Sequence, residues 1–384
     1  MYQVDTVIIG AGVVGLATGR ELALSGREVL VLEAEKTFGT QTSSRNSGVI
    51  HAGLYYPPGS LKARLCHEGR DRLYDYVSSR GIAHQKCGKL LVACAAPELT
   101  KLDALMANAA QNGVTDLIRL SADEARALEP EVHCLAACLS PSTGIIDVHE
   151  LMLALAGDIE NAGGLIVCQS PVTGWQHDGD SFLIDTGDTP IKARNVINSA
   201  GHKALPLLQA LTAYPSAHLR QGYFAKGNYF SLQGRTPFTH LVYPMPGTGS
   251  LGVHATLDLA GRVRFGPDIE WIDNPDDLYV DPARADAFAQ AIRTYWPALP
   301  EDALIPDYAG IRPKLHSASE PMPDFAIEGP ETHDIQGLIN LLGIESPGLT
   351  SALAIAALIR NRLDQASNPG AARNLHNRVN VSLF

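Results

Sequence analysis

A glycine-rich turn between two apolar runs near the start of the chain constrains its fold more than any other feature. Residues 4–9 form the first apolar run, and the six residues from Gly10 to Gly15 read GAGVVG. A helical pattern over residues 13–25 follows, and residues 28–33 form a second apolar run. Short apolar runs that alternate with a helical pattern predict a βαβ unit in a parallel sheet.

The turn has the spacing of a dinucleotide-binding loop. Gly10 permits the tight turn, Gly12 lets the backbone approach a pyrophosphate, and Gly15 lets helix and strand pack closely. Glu33 ends the second run, where a carboxylate accepts hydrogen bonds from an adenosine ribose and disfavours the 2′-phosphate of NADP. A glycine turn without a ligand is the weaker interpretation. The cofactor-binding residues predicted here are Gly10, Ala11, Gly12, Val13, Val14, Gly15, Glu33 and Ala34.

Two further segments favour FAD over NAD, since both cofactors share this fingerprint. Residues 42–48 read TSSRNSG and offer hydroxyls, an amide and a guanidinium to a pyrophosphate and a flavin ring. Residues 343–350 read GIESPGLT and lead into a helical pattern, with Ser346 as the expected N-cap and Pro347 at the first helical position. A helix N-terminus there would stabilise negative charge on a reduced flavin. The predicted cofactor-binding residues are Thr42, Ser43, Ser44, Arg45, Asn46, Ser47, Gly48, Gly343, Glu345, Ser346, Pro347, Gly348, Leu349 and Thr350.

A strand-like run over residues 195–199 ends in Ala200 and Gly201. Such a close-packed crossing is typical of the backbone beneath an adenine or a pyrophosphate, although a core strand with an ordinary turn has the same pattern. We therefore add Ala200 and Gly201 to the predicted cofactor site, together with Val172.

The remaining patterns predict an α/β fold, α+β overall. It has a Rossmann-like FAD-binding domain and an inserted substrate domain built on an antiparallel sheet plus helices. Strand-like runs at 182–185, 195–199, 222–230, 241–243 and 251–254 predict the antiparallel sheet. We assign residues 1–80, 145–215 and 306–384 to the FAD-binding domain and residues 81–144 and 216–305 to the substrate-binding domain.

Composition excludes some classes of protein. The chain has 384 residues, of which 30 are Lys or Arg and 41 are Asp or Glu, so its formal net charge is −11. This balance argues against a nucleic-acid partner. The six cysteines form no CxxC pair, and no apolar stretch is long enough to span a bilayer. We expect a cytoplasmic protein, at most peripherally attached to the inner face of the membrane, without a metal site.

Several sequence blocks resemble one family of enzymes. They are the glycine turn with Glu33 and five further blocks, residues 43–66, 241–246, 251–267, 310–315 and 341–356. Together they are similar to the FAD-dependent amine and hydroxyacid oxidase superfamily, which includes D-amino-acid oxidase. Within it, HAGLYY, GVH and IESPGLTS resemble the L-2-hydroxyglutarate dehydrogenases most. The similarity covers nearly the whole chain.

The resemblance implies oxidation of L-2-hydroxyglutarate to 2-oxoglutarate by hydride transfer to N5 of FAD. It also implies that electrons pass on to a quinone or membrane electron chain, or to molecular oxygen. None of the cysteines lies where this superfamily attaches its flavin covalently, so we expect non-covalent FAD. A flavin amine oxidase for glycine or another small amino acid, and a non-catalytic nucleotide-binding module, are the alternatives. The oligomeric state is left open.

Five residues in the family-like blocks are candidates for the chemistry. His51 and His254 are candidate bases, because the ordinary pKa of histidine lies near working pH. Arg312 is the candidate for a bidentate clamp on a substrate carboxylate, and it is also assigned to the predicted cofactor site. Tyr55 and Tyr243 are candidate hydrogen-bond donors to the substrate, with core packing as the alternative for each.

The local charge around these blocks differs from that of the whole chain. Residues 43–70 contain four cationic side chains and one carboxylate, a balance of +3. Arg312 and Lys314 add to this if the fold brings them together, which favours an anionic substrate in a locally basic pocket. Lys62 and Arg64 are expected on a solvated helix face rather than in the pocket.

Overall fold

The computed structural model describes residues 1–245 and 252–367, in which 20 strands form three sheets. The strands are β1 (Tyr2–Ile9), β2 (Val29–Leu32), β3 (Val49–Ile50), β4 (His84–Gln85), β5 (Lys89–Ala93), β6 (Ile118–Ser121), β7 (Ala136–Ser140), β8 (Gly144–Ile146), β9 (Leu165–Val167), β10 (Gly174–His177), β11 (Phe182–Asp185), β12 (Ile191–Asn198), β13 (Tyr223–Leu232), β14 (Leu241–Pro244), β15 (Ala255–Leu257), β16 (Val263–Phe265), β17 (Glu270–Ile272), β18 (Leu304–Lys314), β19 (Ala326–Glu328) and β20 (Leu338–Leu342).

Nine α-helices accompany the strands in the same residues. They are α1 (Val13–Leu24), α2 (Leu61–Arg80), α3 (Ala96–Gln111), α4 (Ala122–Leu128), α5 (Val148–Asn161), α6 (Ala204–Ala210), α7 (Ala285–Arg293), α8 (Pro330–His333) and α9 (Gly348–Ser367). No helix within the described part of the chain combines the length and the apolar character needed to cross a membrane.

The first sheet contains the glycine turn. Its parallel strands follow the order β20, β12, β1, β2 and β9. The residues of β1 and β2 are apolar in near-continuous runs because helices cover both faces of a parallel sheet. The helix α1 connects β1 to β2 and packs against α5 and α9. This arrangement confirms the predicted Rossmann-like fold.

The second sheet contains nine strands and is antiparallel except where β5 and β14 pair in parallel. The strand β13 pairs with β18 so that Ala225 lies opposite Arg312. The parallel pairing of β14 with β5 places Tyr243 opposite Leu91. These pairings bring candidate residues from distant parts of the sequence to one sheet. A third, small sheet joins β3, β8 and β4.

Three local predictions were wrong. The runs at 182–185 and 195–199 belong to the first sheet, because β12 pairs with β1 along its whole length and with β11 at its start. Residues 252–254 are irregular and the strand begins at Ala255, while Leu251 lies outside the described residues. The last helix begins at Gly348, after both Ser346 and Pro347. Its first backbone hydrogen bond runs from the Ser351 N–H to the Pro347 carbonyl at 2.9 Å.

The predicted domain boundaries stay predictions. The strands of the first sheet fall within residues 1–80, 145–215 and 306–384, whereas β18 crosses the boundary at 306 and pairs in the second sheet. Residues 246–251 and 368–384, which the predicted domains include, lie outside the described residues.

Candidate active site

A cavity of about 1100 Å³ is lined by residues of both large sheets. The glycine turn after β1, the segment between β2 and β3, and the turn before α9 line one part of it. Residues of β13, β14 and β18 line the other part. Its volume exceeds that of pockets for ordinary small ligands, which reach about 1000 Å³. The cavity is therefore large enough for a dinucleotide and a small substrate together.

The N-terminus of α1 opens onto this cavity. Gly12 precedes the helix without a side-chain cap, and the Val13 N–H donates to Ser43 Oγ at 3.0 Å. A Cβ on Gly15 would lie 2.0 Å from the Gly10 carbonyl oxygen, so the turn and the helix approach too closely for any side chain there. The N–H groups of this first turn and the positive end of the helix dipole suit a pyrophosphate.

Glu33 is held in the cavity wall by backbone donors. Its Oε2 accepts from the Ala11 N–H at 2.7 Å and its Oε1 from the Glu35 N–H at 3.0 Å. These bonds fix the carboxylate and leave acceptor capacity on both oxygens, which suits the hydroxyls of a ribose.

The segment between β2 and β3 forms a third wall of the cofactor part. Thr42 Oγ1 lies 3.0 Å from His202 Nε2, and Ser47 Oγ lies 2.9 Å from the Tyr229 hydroxyl. Arg45 Nε is buried without a hydrogen-bond partner in the described residues. An unsatisfied guanidinium donor in a cavity wall fits an anionic or carbonyl-rich group such as FAD.

A buried ion triad lies beside the turn before α9. Glu345 Oε2 accepts from Lys314 Nζ at 2.6 Å, and Glu345 Oε1 lies 3.5 Å from Lys62 Nζ. All three side chains are at most 6% exposed. Burial lowers the pKa of Lys314, although the neighbouring carboxylate opposes that change. Two cations thus share one anion at the cavity wall. The expectation of a solvated Lys62 was wrong, whereas Arg64 is exposed.

His51 lies between the cofactor part and the second sheet. Its backbone N–H donates to Thr350 Oγ1 at 2.9 Å, and its ring Nε2 lies 3.4 Å from Ser346 Oγ. Burial, with smaller contributions from Lys89 and His254, lowers the pKa of His51 to about 3. Its imidazole is therefore neutral at pH 7, the form that accepts a proton.

His254 and Tyr243 form a stacked pair in the substrate part of the cavity. Their ring centres are 3.6 Å apart and the rings are nearly parallel, at 6°. Burial raises the pKa of Tyr243 and of Tyr55 far above the ordinary value. Both phenols therefore stay protonated and can donate a hydrogen bond. The ammonium group of Lys89 lies behind both tyrosine rings.

Arg312 reaches the cavity from β18. Its Nη1 and Nη2 donate to the Asp268 carbonyl oxygen at 3.2 and 3.3 Å. A Cβ on Gly227 would lie 2.8 Å from Arg312 Nη2, so the absence of a side chain there makes room for the guanidinium. No carboxylate in the described residues forms an ion pair with Arg312, which leaves its charge for an anionic ligand.

The structure brings most of the predicted site residues together. All five catalytic candidates line the cavity, as do the predicted cofactor residues with five exceptions. Thr350 is buried and instead positions the backbone of His51. Ser44 and Gly48 line a neighbouring cleft of about 380 Å³. The five predicted residues outside the cavity lining are Ala11, Ser44, Gly48, Gly343 and Thr350.

The sequence alone assigns no role to several residues in and behind the cavity wall. His202 lies in the wall, and its Nε2 is 2.9 Å from the Ile311 carbonyl oxygen. Tyr56 and Tyr229 also line the cavity. Tyr56 follows Tyr55 in the HAGLYY block, which was a usable signal. Tyr229 and Lys89 lie on strands with no local motif, so strand pairing alone reveals them.

Comparison with known proteins identifies the family. The FAD dependent oxidoreductase family matches residues 5–362. The chain belongs to this family. FAD is accordingly its cofactor, and the α1 N-terminus, Glu33 and Arg45 fit that group. Within the described residues, no three His, Cys, Asp or Glu side chains converge as a metal site requires.

Relatives within the FAD dependent oxidoreductases place the chain more closely. It is 44% identical to "L-2-hydroxyglutarate dehydrogenase, mitochondrial" of Arabidopsis thaliana, over 94% of this chain and 83% of that protein. It is 31% identical to the protein of the same name from Nematostella vectensis, over 93% and 90%. The FAD-bound L-alpha-glycerophosphate oxidase of Mycoplasma pneumoniae has a TM-score of 0.85 and 26% identity, covering 95% of each chain.

Proposed function

We propose that the protein oxidises L-2-hydroxyglutarate to 2-oxoglutarate with non-covalent FAD. One observation carries the proposal. One cavity is lined by the dinucleotide-binding turn, by the guanidinium of Arg312 and by the neutral imidazole of His51. No carboxylate in the described residues forms an ion pair with Arg312. A 2-hydroxy dicarboxylate needs cations for its carboxylates and an acceptor for its hydroxyl proton. The relatives named L-2-hydroxyglutarate dehydrogenase support this substrate.

In this proposal, Arg312 binds one substrate carboxylate through its guanidinium. The two Nη atoms are anchored on one backbone carbonyl, which fixes the plane of the group and orients a bound carboxylate. Tyr55 and Tyr243 donate hydrogen bonds from phenols that stay protonated. One cation and two neutral hydrogen-bond donors therefore bind the substrate, and none of the three carries a negative charge.

Proton removal falls to a histidine. His51 is held by Thr350 through its backbone, and its imidazole is neutral, so Nε2 has a lone pair for the hydroxyl proton. Burial makes this imidazole a weak base before substrate binds, and the negative charge of a bound dicarboxylate raises its pKa towards working pH. His254, stacked on Tyr243, is the other candidate for the same step. When bound, FAD supplies the two-electron acceptor for the hydrogen on C2. The N-terminus of α9, with Gly348 and Leu349 in the cavity wall, offers N–H groups to negative charge in that part of the cavity.

The two large sheets divide these tasks in the proposal. The FAD-binding domain comprises residues 1–80, 145–215 and 306–384, which include the first sheet and Arg312. The substrate-binding domain comprises residues 81–144 and 216–305, which include Tyr243 and His254. The electron acceptor is a quinone of a membrane chain, reached by peripheral contact at the inner face of the membrane, or else molecular oxygen. Formation of hydrogen peroxide in air, against reduction of a soluble quinone without oxygen, separates the two.

Product analysis tests the proposed reaction. Purified protein is incubated with L-2-hydroxyglutarate, D-2-hydroxyglutarate or glycine and an artificial acceptor, and 2-oxoglutarate and ammonia are measured. We expect 2-oxoglutarate from the L-enantiomer and no ammonia from glycine. Ammonia release from glycine, with no 2-oxoglutarate from either enantiomer, would show an amine oxidase instead. Acid precipitation should leave the yellow colour in the supernatant; a yellow pellet would contradict non-covalent binding.

A further inference from the structure

Lys89 is a fully buried lysine at the start of β5. Its Nζ has no hydrogen-bond partner among the described residues, and no carboxylate there forms an ion pair with it. Burial of an ammonium group is costly unless an anion or several acceptors replace its water shell. The cost of burying this ammonium group without a partner indicates that Lys89 has a functional role.

The ammonium group lies behind the wall of the substrate cavity. Lys89 Nζ is 4.7 Å from the ring centre of Tyr243 and 5.1 Å from that of Tyr55. The parallel pairing of β5 with β14 puts Lys89 opposite Leu241, two residues before Tyr243 and so on the same face of the sheet. The faces of the two rings supply a partial substitute for water.

The other titratable groups that face Lys89 do not neutralise it. Cys66 of α2 and Cys138 of β7 are both buried, and burial raises the pKa of these thiols to about 12 and about 11. Both are therefore uncharged at pH 7, as are the two phenols. His51 faces the same region and carries no charge either. The positive charge of Lys89 is thus uncompensated until an anion enters the cavity.

We propose that Lys89 is a positioning residue, which holds the rings of Tyr55 and Tyr243 and attracts the anionic substrate from behind them. The inference rests on the proposed function, because it assumes a dicarboxylate ligand. A charge behind a low-dielectric wall acts over several ångströms with little screening. Lys89 thereby adds attraction without touching the substrate.

The pH dependence of ligand binding gives this role a signature. Burial lowers the pKa of Lys89 to about 8, so the group is charged below that pH and neutral above it. Affinity for a dicarboxylate should therefore fall as pH rises through about 8. The phenols titrate far higher. Burial also lowers the pKa of Lys314 in the cavity wall, so the Lys89 variants are needed to separate the titration of Lys89 from that of other groups.

Calorimetric titration of the holoenzyme with glutarate, a dicarboxylate that cannot be oxidised at C2, tests the proposal between pH 6 and 10. The variants are Lys89→Met, which removes the charge, and Lys89→Arg, which keeps it at every pH used. Lys226→Met is the matched control, since Lys226 is also buried but is paired with Asp277 and Glu270 outside the cavity lining.

In the wild-type protein we expect the Kd for glutarate to rise at least tenfold from pH 7 to pH 10. Lys89→Met should bind at least tenfold more weakly at pH 7, without this pH dependence. Lys89→Arg should keep the wild-type Kd at pH 7 and hold it to pH 10, and Lys226→Met should follow the wild type. A Lys89→Met protein that binds like the wild type would overturn the proposal.

The proposal can still be tested if Lys89→Met does not fold correctly. If Lys89→Met loses its FAD, the wild-type titration decides, because a Kd that is constant from pH 6 to 10, or no binding at all, overturns the proposal. Failure of the proposed function is distinguishable. It would show as no reduction of the wild-type flavin by L-2-hydroxyglutarate, while the dependence of glutarate binding on Lys89 persists.

Discussion

The Lys314 ammonium lies 2.6 Å from the Glu345 carboxylate, and both side chains are buried beside the flavin part of the cavity. Lys62 lies 3.5 Å from the same carboxylate. With Arg45, Lys89 and Arg312, five cationic side chains lie in or behind the cavity wall of a protein whose formal net charge is −11. The net charge of the whole chain therefore does not argue against an anionic ligand in this cavity.

Glu345→Gln should destabilise the protein. The substitution leaves two buried lysines without their shared anion, a change that costs about 3–5 kcal/mol when one partner of a buried pair is removed. We expect a lower urea midpoint and weaker FAD retention. Glu68→Gln is the control, because Glu68 pairs with Arg72 on an exposed helix face and such pairs contribute at most about 1 kcal/mol. Equal midpoints for the two variants would show that the triad does not stabilise the fold.

Gly15→Ala should impair both folding and FAD binding. A Cβ at this position would lie 2.0 Å from the Gly10 carbonyl oxygen, so the turn must open. Gly157→Ala is the matched control, since Gly157 also lies in a helix but has open space around it. There the alanine should stabilise the protein by about 0.5–1 kcal/mol. FAD content and melting temperature measure both effects, and an unchanged FAD content in Gly15→Ala would count against the turn as the pyrophosphate site.

Arg312→Ala should raise KM and also lower kcat, with a combined loss in kcat/KM of about 100-fold, because a loosely held substrate loses its alignment. Steady-state kinetics with L-2-hydroxyglutarate measure this. Arg264→Ala should leave the kinetics unchanged, since Arg264 lines the neighbouring cleft and pairs with Asp307. Wild-type kinetics in Arg312→Ala would exclude the guanidinium from the site.

The pH profile should identify the base. The pKa of His51 is lowered to about 3, so its proton-accepting form persists well below the ordinary histidine value and is lost as pH falls through about 3. We therefore expect kcat/KM to stay flat from pH 7 down to pH 5, below the range in which Lys89 loses its proton, and His51→Gln to lower kcat at every pH. A decline in kcat/KM between pH 7 and pH 5 that survives in His51→Gln would exclude His51 as the base and favour His254.

The elements nearest the glycine turn were predictable from the sequence. Apolar runs and the GAGVVG spacing indicated β1, α1 and β2, and polar residues clustered after β2 indicated the third wall of the cavity. These features depend on local backbone preferences, which the sequence expresses directly. The five catalytic candidates also line the cavity, because the family-like blocks contain them.

Features set by long-range pairing were not predictable. The polar sequence of its helix indicated that Lys62 is solvated. Its side chain is buried instead, because its ammonium group lies 3.5 Å from the carboxylate of Glu345, a residue far along the chain. Lys89 lies in an apolar strand without any motif, and the pairing of β5 with β14 brings it beneath Tyr243. The strand at 195–198 looked like part of the antiparallel sheet until its pairing with β1 fixed its place.

Anaerobic mixing of the purified holoenzyme with L-2-hydroxyglutarate tests the central claim most directly. The visible absorbance of oxidised FAD is followed, with D-2-hydroxyglutarate, L-lactate and glycine as comparisons. We predict full and rapid bleaching by L-2-hydroxyglutarate and little or none by the other three compounds. Bleaching by glycine with an unchanged spectrum in L-2-hydroxyglutarate would contradict the account.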